Sequence, residues 1–213
     1  MSPPGFGAPL PAGFGATMPE YRAWLVDELT AIGEPVDLVG YDWGGLHVLG
    51  VAITRPDLIR SWVSDAVGAL HPDHVWHELA RVWQAPGAGE RAVADFFGST
   101  ERETEALVRR GFPRPVAERV AAAHDESTGR AVLALYRSAA QPALAELGRD
   151  LGAAARRPGL AVVAGEDVVV GSEEQRLAAA ATAGARVARL DGLGHWWMLE
   201  DPRRGAEMLA DFW

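Results

Sequence analysis

The feature that most constrains the fold is a strand, turn, helix and strand pattern in the first third of the chain. Residues 36–39 form a short, mostly apolar run suited to a buried strand, and a glycine-rich turn over 40–45 (GYDWGG) leads into an apolar helix over about 46–54. A second strand follows over 58–63. A helix that connects two strands favours parallel pairing, so the pattern predicts a parallel α/β sheet.

The rest of the chain falls into one helical stretch and one alternating stretch. Helix follows helix over 71–157, with no strand candidate among them. Strands and helices then alternate again, with strands over 160–164 and 187–190 and helices over 172–183 and 202–213. We therefore expect an α/β core made of residues 1–70 and 158–213, with an all-helical cap inserted over 71–157.

Composition excludes several chemistries and partners. Among 213 residues, 29 are acidic and 20 basic, which gives a net charge of −9. Nucleic acids and anionic membranes bind clustered positive charge, so we expect neither as a partner. The chain has no cysteine, lysine or asparagine, so a thiol nucleophile, a cysteine metal site and a lysine Schiff base are excluded. No apolar run reaches the roughly 18 residues of a membrane-spanning helix, and we expect a soluble, cytoplasmic protein.

The glycine-rich turn carries an aspartate, Asp42, at its centre. The spacing Gly40-x-Asp42-x-Gly44 between a strand and a helix predicts a sharp elbow, which strains the central residue and lifts its side chain clear of the sheet. A carboxylate at a helix N-terminus stays ionised, and it can attack an sp³ carbon without an activating base. The same spacing also fits an aspartate that only caps an ordinary helix.

Two further groups stand where later strands end. His195 lies in a glycine-rich loop after the last predicted strand, and Asp167 follows the strand over 160–164. An ester on Asp42 would be hydrolysed by water, for which a histidine of near-neutral pKa is a suitable base. A carboxylate such as Asp167 can orient that histidine, which gives the order nucleophile, acid, histidine along the chain.

These motifs resemble those of aspartate-nucleophile α/β-hydrolases, the epoxide hydrolases and haloalkane dehalogenases. The resemblance rests on the elbow at Asp42, on Gly-x-Asp after the strand over 160–164 and on Gly-His-Trp after the last strand. It extends over roughly residues 1–213. It implies an α/β-hydrolase fold with a helical cap, a small-molecule substrate, and no cofactor or metal ion. It also implies that Asp42 forms an alkyl-enzyme ester, that His195 activates the hydrolytic water, and that Asp167 orients His195. Some dehalogenases take this acid from the loop after the preceding strand, which makes Asp65 the alternative.

Epoxide hydrolysis and dehalogenation, the two reactions of this family, need different groups to stabilise the leaving group. Epoxide opening needs a proton donor, which the family takes from cap tyrosines, and Tyr136 is the tyrosine so placed. Halide departure needs N–H donors, and Trp43 with Trp76 or Trp83 would supply them. The backbone N–H of Trp43 would also stabilise an oxyanion. The sequence slightly favours epoxide hydrolysis over dehalogenation.

The resemblance also implies that strands are missing from the N-terminal side. The family normally has eight strands, of which this sequence predicts about four, and a second oxyanion donor would be lost with the others. The strand over 36–39 would become an exposed apolar edge, so we expect a homodimer or another partner to cover it. The alternative function is a non-catalytic or partner-dependent hydrolase remnant without a complete oxyanion hole.

Overall fold

A computed structural model describes residues 1–213 and divides the chain into two compact units. The first unit consists of residues 1–21 and 77–140, and the second of residues 22–76 and 141–213. All strands belong to the second unit, while the helical stretch of the first lies within 71–157. The division into a cap over 71–157 and a core of residues 1–70 and 158–213 stays a prediction of the sequence.

Four parallel strands form the sheet of the second unit. The strands are β1 (Val36–Gly40), β2 (Ile59–Ser64), β3 (Gly159–Ala164) and β4 (Arg186–Leu190). They pair in the order β1-β2-β3-β4, and each pair is parallel. The predicted parallel sheet is therefore confirmed, with each strand within two residues of its expected bounds.

The chain has eleven α-helices. They are α1 (Met18–Ile32), α2 (Trp43–Thr54), α3 (Glu78–Gln84), α4 (Ala88–Phe97), α5 (Thr100–Arg109), α6 (Arg114–Ala122), α7 (Glu126–Ser138), α8 (Ala143–Gly148), α9 (Glu173–Thr182), α10 (Trp197–Glu200) and α11 (Pro202–Ala210). Three short 3₁₀ helices cover Pro56–Leu58, Val67–Leu70 and Leu151–Arg156. No strand interrupts 71–157, as the sequence predicts.

The centre of the sheet is buried on both faces. Every residue of β3 is buried, which is typical of a parallel strand covered by helices on both sides. Trp62 of β2 is fully buried, and its indole N–H donates to the carbonyl of Ala154 at 3.2 Å. A Cβ on Gly159 would lie 2.1 Å from the Trp62 ring, so β3 can begin beside this ring only with a glycine.

The first strand is an edge of the sheet. β1 pairs with β2 alone, and the side chain of Val39 is 45% exposed. The exposed edge at 36–39 that the sequence predicts is thus present. On the same strand, Asp37 is bound by Arg60 of β2, with an N–O distance of 2.7 Å. A charged pair of this kind is one way in which natural sheets discourage edge-to-edge association.

In the first unit, the N-terminal segment is tied to α7. The hydroxyl of Thr128 donates to the carbonyl of Gly5 at 2.9 Å, and the backbone N–H of Met18 donates to the hydroxyl of Ser138 at 2.8 Å. Both anchors lie on α7, so residues 1–18 are fixed although few of them form regular structure. No helix of either unit combines the length and the apolar character needed to cross a membrane.

Candidate active site

Asp42 occupies a strained elbow between β1 and α2. Its backbone has φ 52° and ψ −122°, a conformation that non-glycine residues adopt rarely and at a cost of about 1–3 kcal/mol. A Cβ on Gly40 would lie 2.3 Å from the carbonyl oxygen of Gly44, so the chain can double back this closely only with glycine there. The sharp elbow predicted from the glycine spacing is confirmed.

The structure brings Asp42, His195 and Asp167 together at the carboxyl end of the sheet. His195 Nε2 lies 3.2 Å from Asp42 Oδ2, and His195 Nδ1 lies 2.9 Å from Asp167 Oδ2. The Asp167 side chain is almost completely buried, whereas 28% of the Asp42 side chain is exposed. Of the two acids that the sequence leaves open, Asp167 is the one that contacts the imidazole.

The two carboxylates determine the protonation of His195. Burial disfavours the charged imidazolium, but the hydrogen bonds to Asp167 and Asp42, together with their charges, outweigh it and raise the pKa of His195 to about 10. Burial acts on Asp167 as well and raises its pKa, but the contact with His195 and the N–H of Val169 prevail, and the net shift is downward. His195 is therefore a cation between two carboxylates at neutral pH.

The two oxygens of Asp42 lie in different environments. Oδ1 accepts the backbone N–H of Trp43 at 2.5 Å, at the first residue of α2. Oδ2 faces His195 and accepts no other hydrogen bond. The backbone N–H at the first residue of α2 thus holds Oδ1 in place, whereas Oδ2 contacts the imidazole.

Asp65 makes its hydrogen bonds to groups other than His195. Its Oδ1 accepts the backbone N–H of Asp42 at 2.8 Å, and its Oδ2 accepts the indole N–H of Trp197 at 3.0 Å. The residue is 2% exposed, and burial raises the pKa of its carboxyl to about 7. Asp65 as the alternative acid stays a prediction, and its two hydrogen-bond partners were not predicted from the sequence.

Aromatic side chains lie beside the elbow. The Trp43 and Trp76 rings stack with centroids 5.8 Å apart and planes 24° apart, and the His47 ring lies 5.9 Å from that of Trp43. Burial lowers the pKa of His47 to about 4, so this histidine is uncharged at neutral pH. In the first unit, Trp83 and Tyr136 pack against each other, with centroids 4.8 Å apart. The catalytic parts predicted for these aromatic side chains stay predictions.

No group of three or more histidine, cysteine, aspartate or glutamate side chains is arranged to hold a metal ion. The Tyr41 ring lies beside the imidazole, with its centroid 5.2 Å from that of His195. The site thus consists of a carboxylate at an elbow, an imidazolium, a buried second carboxylate and aromatic walls.

Comparisons with known proteins agree with this architecture. The sequence profile of the alpha/beta hydrolase family matches residues 1–208, and no curated protein matches the chain in sequence. A variant of the meta-cleavage product hydrolase CumD from Pseudomonas fluorescens has a TM-score of 0.69 and 16% identity, over 97% of this chain and 76% of that chain. A loop variant of the haloalkane dehalogenase DbeA from Bradyrhizobium elkanii has a TM-score of 0.63 and 20% identity, over 93% and 75% of the two chains.

A third solved structure, NosK from Streptomyces actuosus, has a TM-score of 0.65 and 22% identity, over 100% of this chain and 83% of that chain. At such identities the likeness concerns the fold alone. The four-stranded parallel sheet with its many helices is the fold that the structural neighbours share with this chain.

Proposed function

The chain belongs to the alpha/beta hydrolase family, and from that premise we propose that it opens an epoxide or a carbon–halogen bond through an ester on Asp42. The observation that carries the proposal is the carboxylate at the elbow, with its Oδ2 3.2 Å from His195. A carboxylate in this position attacks saturated carbon directly, whereas acyl transfer would need a hydroxyl or thiol there.

In the first step, Oδ2 of Asp42 attacks the substrate carbon. A bond forms between Oδ2 and carbon, and the carbon–oxygen bond of an epoxide or the carbon–halogen bond breaks with its electron pair. Oδ1 becomes the carbonyl oxygen of the ester and keeps its hydrogen bond from the Trp43 N–H. The fixed difference between the two oxygens supports this assignment.

In the second step, the ester creates the conditions for its own hydrolysis. Ester formation removes the negative charge of Asp42, which is one of the two charges that raise the pKa of His195. The imidazole can then release its proton to the solvent and, oriented by Asp167, accept a proton from water. The water oxygen attacks Cγ, negative charge develops on Oδ1 beside the Trp43 N–H, and the Cγ–Oδ2 bond breaks. His195 gives this proton to the departing alkoxide and then takes the second proton of the water from the new Asp42 carboxyl group, which restores the carboxylate and the imidazolium.

We propose two substrate classes, epoxides and halides, and rank them as the sequence analysis does. Epoxide hydrolysis comes first, with Tyr136 as the proton donor to the opened ring. Dehalogenation is the second candidate, and the stacked pair of Trp43 and Trp76 next to the nucleophile favours it. Indole N–H groups at that place would stabilise a departing halide.

The test uses a His195→Gln variant, in which the ester should accumulate because its hydrolysis lacks a base. We would incubate the variant with a panel of epoxides and haloalkanes and measure its intact mass. A gain equal to the whole substrate indicates epoxide opening, and a gain of the substrate less HX indicates dehalogenation. The matched control is the double variant Asp42→Asn/His195→Gln, which should form no adduct.

An adduct that persists in the double variant would place the ester on another residue and contradict the proposal. A folded His195→Gln variant that reacts with no member of the panel would favour the alternative function, a non-catalytic or partner-dependent remnant.

A further inference from the structure

We propose that Asp65, as a carboxylate, is a positioning residue that fixes the nucleophile elbow and the histidine loop relative to each other. This inference rests on the proposed function, because it concerns the geometry in which Asp42 reacts. Asp65 follows β2 directly and touches neither the substrate carbon nor His195 in the proposed reaction.

The first argument is the pair of groups that Asp65 connects. Its Oδ1 binds the backbone N–H of Asp42, the nucleophile itself, and its Oδ2 binds the indole of Trp197, two residues after the catalytic histidine. These groups come from distant parts of the chain, yet one buried side chain holds both. The Cβ of an alanine at Gly45 would lie 3.1 Å from Asp65 Oδ1, so α2 packs directly on this carboxylate.

The second argument is chemical. Both oxygens of Asp65 accept hydrogen bonds from N–H groups, and an ionised carboxylate is acceptor-only. An asparagine would have to turn its NH₂ group towards one of these two N–H groups, and a protonated acid would offer one of them a hydroxyl oxygen, which is a weaker acceptor. The ionised form is therefore the one that accepts both hydrogen bonds at full strength.

The third argument is the strain at the elbow. Asp42 is held at a positive φ, and an N–H that lost its acceptor there would favour relaxation of the turn. Relaxation would move Oδ2 relative to His195 and to the substrate carbon. A displacement of about 1 Å in a reacting group can reduce a rate about 100-fold.

The charge state of Asp65 depends on the groups that face it. Burial raises its pKa most, and the charge of Asp42 raises it further, while the hydrogen bonds from Trp197 and from Asp42 N–H and the charge of His195 lower it. The phenol of Tyr41 also interacts with Asp65, and it stays neutral because burial and the surrounding carboxylates raise its pKa. With a pKa of about 7, Asp65 loses its proton within the range in which enzymes are assayed.

The experiment measures ester formation in the His195→Gln variant across pH 5.5–9, with a substrate that gives an adduct. The rate should fall as the solution is acidified through about 7 or slightly above, because the cationic His195 that lowers the Asp65 pKa is gone. With Asp65→Asn added, the rate of ester formation at pH 8.5 should be about 10- to 100-fold lower. The fall in rate on acidification through about pH 7, called the acid limb below, should also disappear. The surface variant Asp57→Asn in the same background should match the parent.

A folded Asp65→Asn variant that keeps both the parent rate and the parent profile would overturn the proposal while leaving the ester mechanism intact. Failure of the parent to form any adduct would instead overturn the proposed function. If Asp65→Asn does not fold, Trp197→Phe provides the second measurement. It removes one N–H donor to the ionised carboxylate, so the acid limb should move to higher pH. An acid limb at the same pH as in the parent would also overturn the proposal.

Discussion

The side chain of His195 lies between two carboxylates, of which only Asp42 is proposed to react. Replacement of Asp167 by asparagine should leave ester formation possible but slow ester hydrolysis about 10³- to 10⁴-fold, because the imidazole loses the group that orients it as a base. Single-turnover quenching followed by intact mass would show the ester accumulating.

The same measurement on Asp65→Asn distinguishes the two acids. This variant should form the ester slowly without accumulating it, since Asp65 contacts the nucleophile and not the base. If Asp65→Asn accumulated ester and Asp167→Asn did not, Asp65 would be the orienting acid after all.

The charge of His195 also predicts how stability depends on pH. Its pKa of about 10 in the folded chain lies above the roughly 6.5 of an unfolded histidine, so the pairing stabilises the fold fully below pH 6.5 and is lost as pH rises towards 10. Between pH 8 and 10, above the titration of Asp65, the free energy of unfolding should fall by about 2 kcal/mol more than in His195→Gln. Urea unfolding of both proteins would measure this, and parallel curves would contradict it.

Sequence reasoning predicted Asp42, His195 and Asp167 as site residues because each stands in a glycine-rich turn directly after a strand, and the three side chains do lie within hydrogen-bond distance. It could not find the contacts of Asp65, because the partners are a backbone N–H and an indole that come from other turns. Such hydrogen bonds leave no spacing of residue types to detect. They depend on how the strands are placed side by side.

At the scale of elements, the elbow between β1 and α2 depends on the close approach of Gly40 to the backbone of Gly44. Gly40→Ala should destabilise the fold by about 3 kcal/mol, because the new Cβ would meet the backbone of Gly44 at 2.3 Å. Gly44→Ala is the matched control, since nothing lies within 4 Å of its Cβ, and it should change stability by less than about 1 kcal/mol. Thermal unfolding of both variants would check the difference, and equal losses would show that the close approach is not what requires glycine.

Element types were predicted better than element ends. The helix after the elbow begins at Trp43 and not near 46, because the last glycines of the turn are already helical. The final helix ends at Ala210, three residues before the C-terminus. The 3₁₀ helices were missed because short turns of this kind have no apolar periodicity.

At the scale of the whole molecule, the open edge of the sheet gives the prediction for assembly. We expect association through β1, where Val39 is exposed, so Val39→Lys should lower the molar mass in solution at high protein concentration. Val187→Lys, on the opposite edge strand β4, is the matched control and should leave it unchanged. Light scattering coupled to size exclusion would measure both. A mass reduced only by Val187→Lys would assign the contact to β4.

The alternation of strands and helices was enough to predict a parallel sheet, although a long helical stretch separates β2 from β3 along the chain. The sequence did not give the order of the strands, because β2 and β3 pair across that stretch and their register depends on long-range packing such as Trp62 against Gly159. The sequence also did not predict which residues belong to each of the two compact units. Residues 1–18 join the first unit through hydrogen bonds to α7, which are long-range contacts.

The unequal surroundings of the two Asp42 oxygens have an isotopic consequence. In the proposed reaction, the product alcohol takes Oδ2 and water replaces it, while Oδ1 stays bound to the Trp43 N–H throughout. In ¹⁸O-water, the first product molecule should therefore be unlabelled, and each later one should carry the water oxygen of the previous turnover. After many turnovers, the peptide that contains Asp42 should be heavier by one ¹⁸O and not by two, so the side chain would retain one original oxygen for as long as the enzyme works.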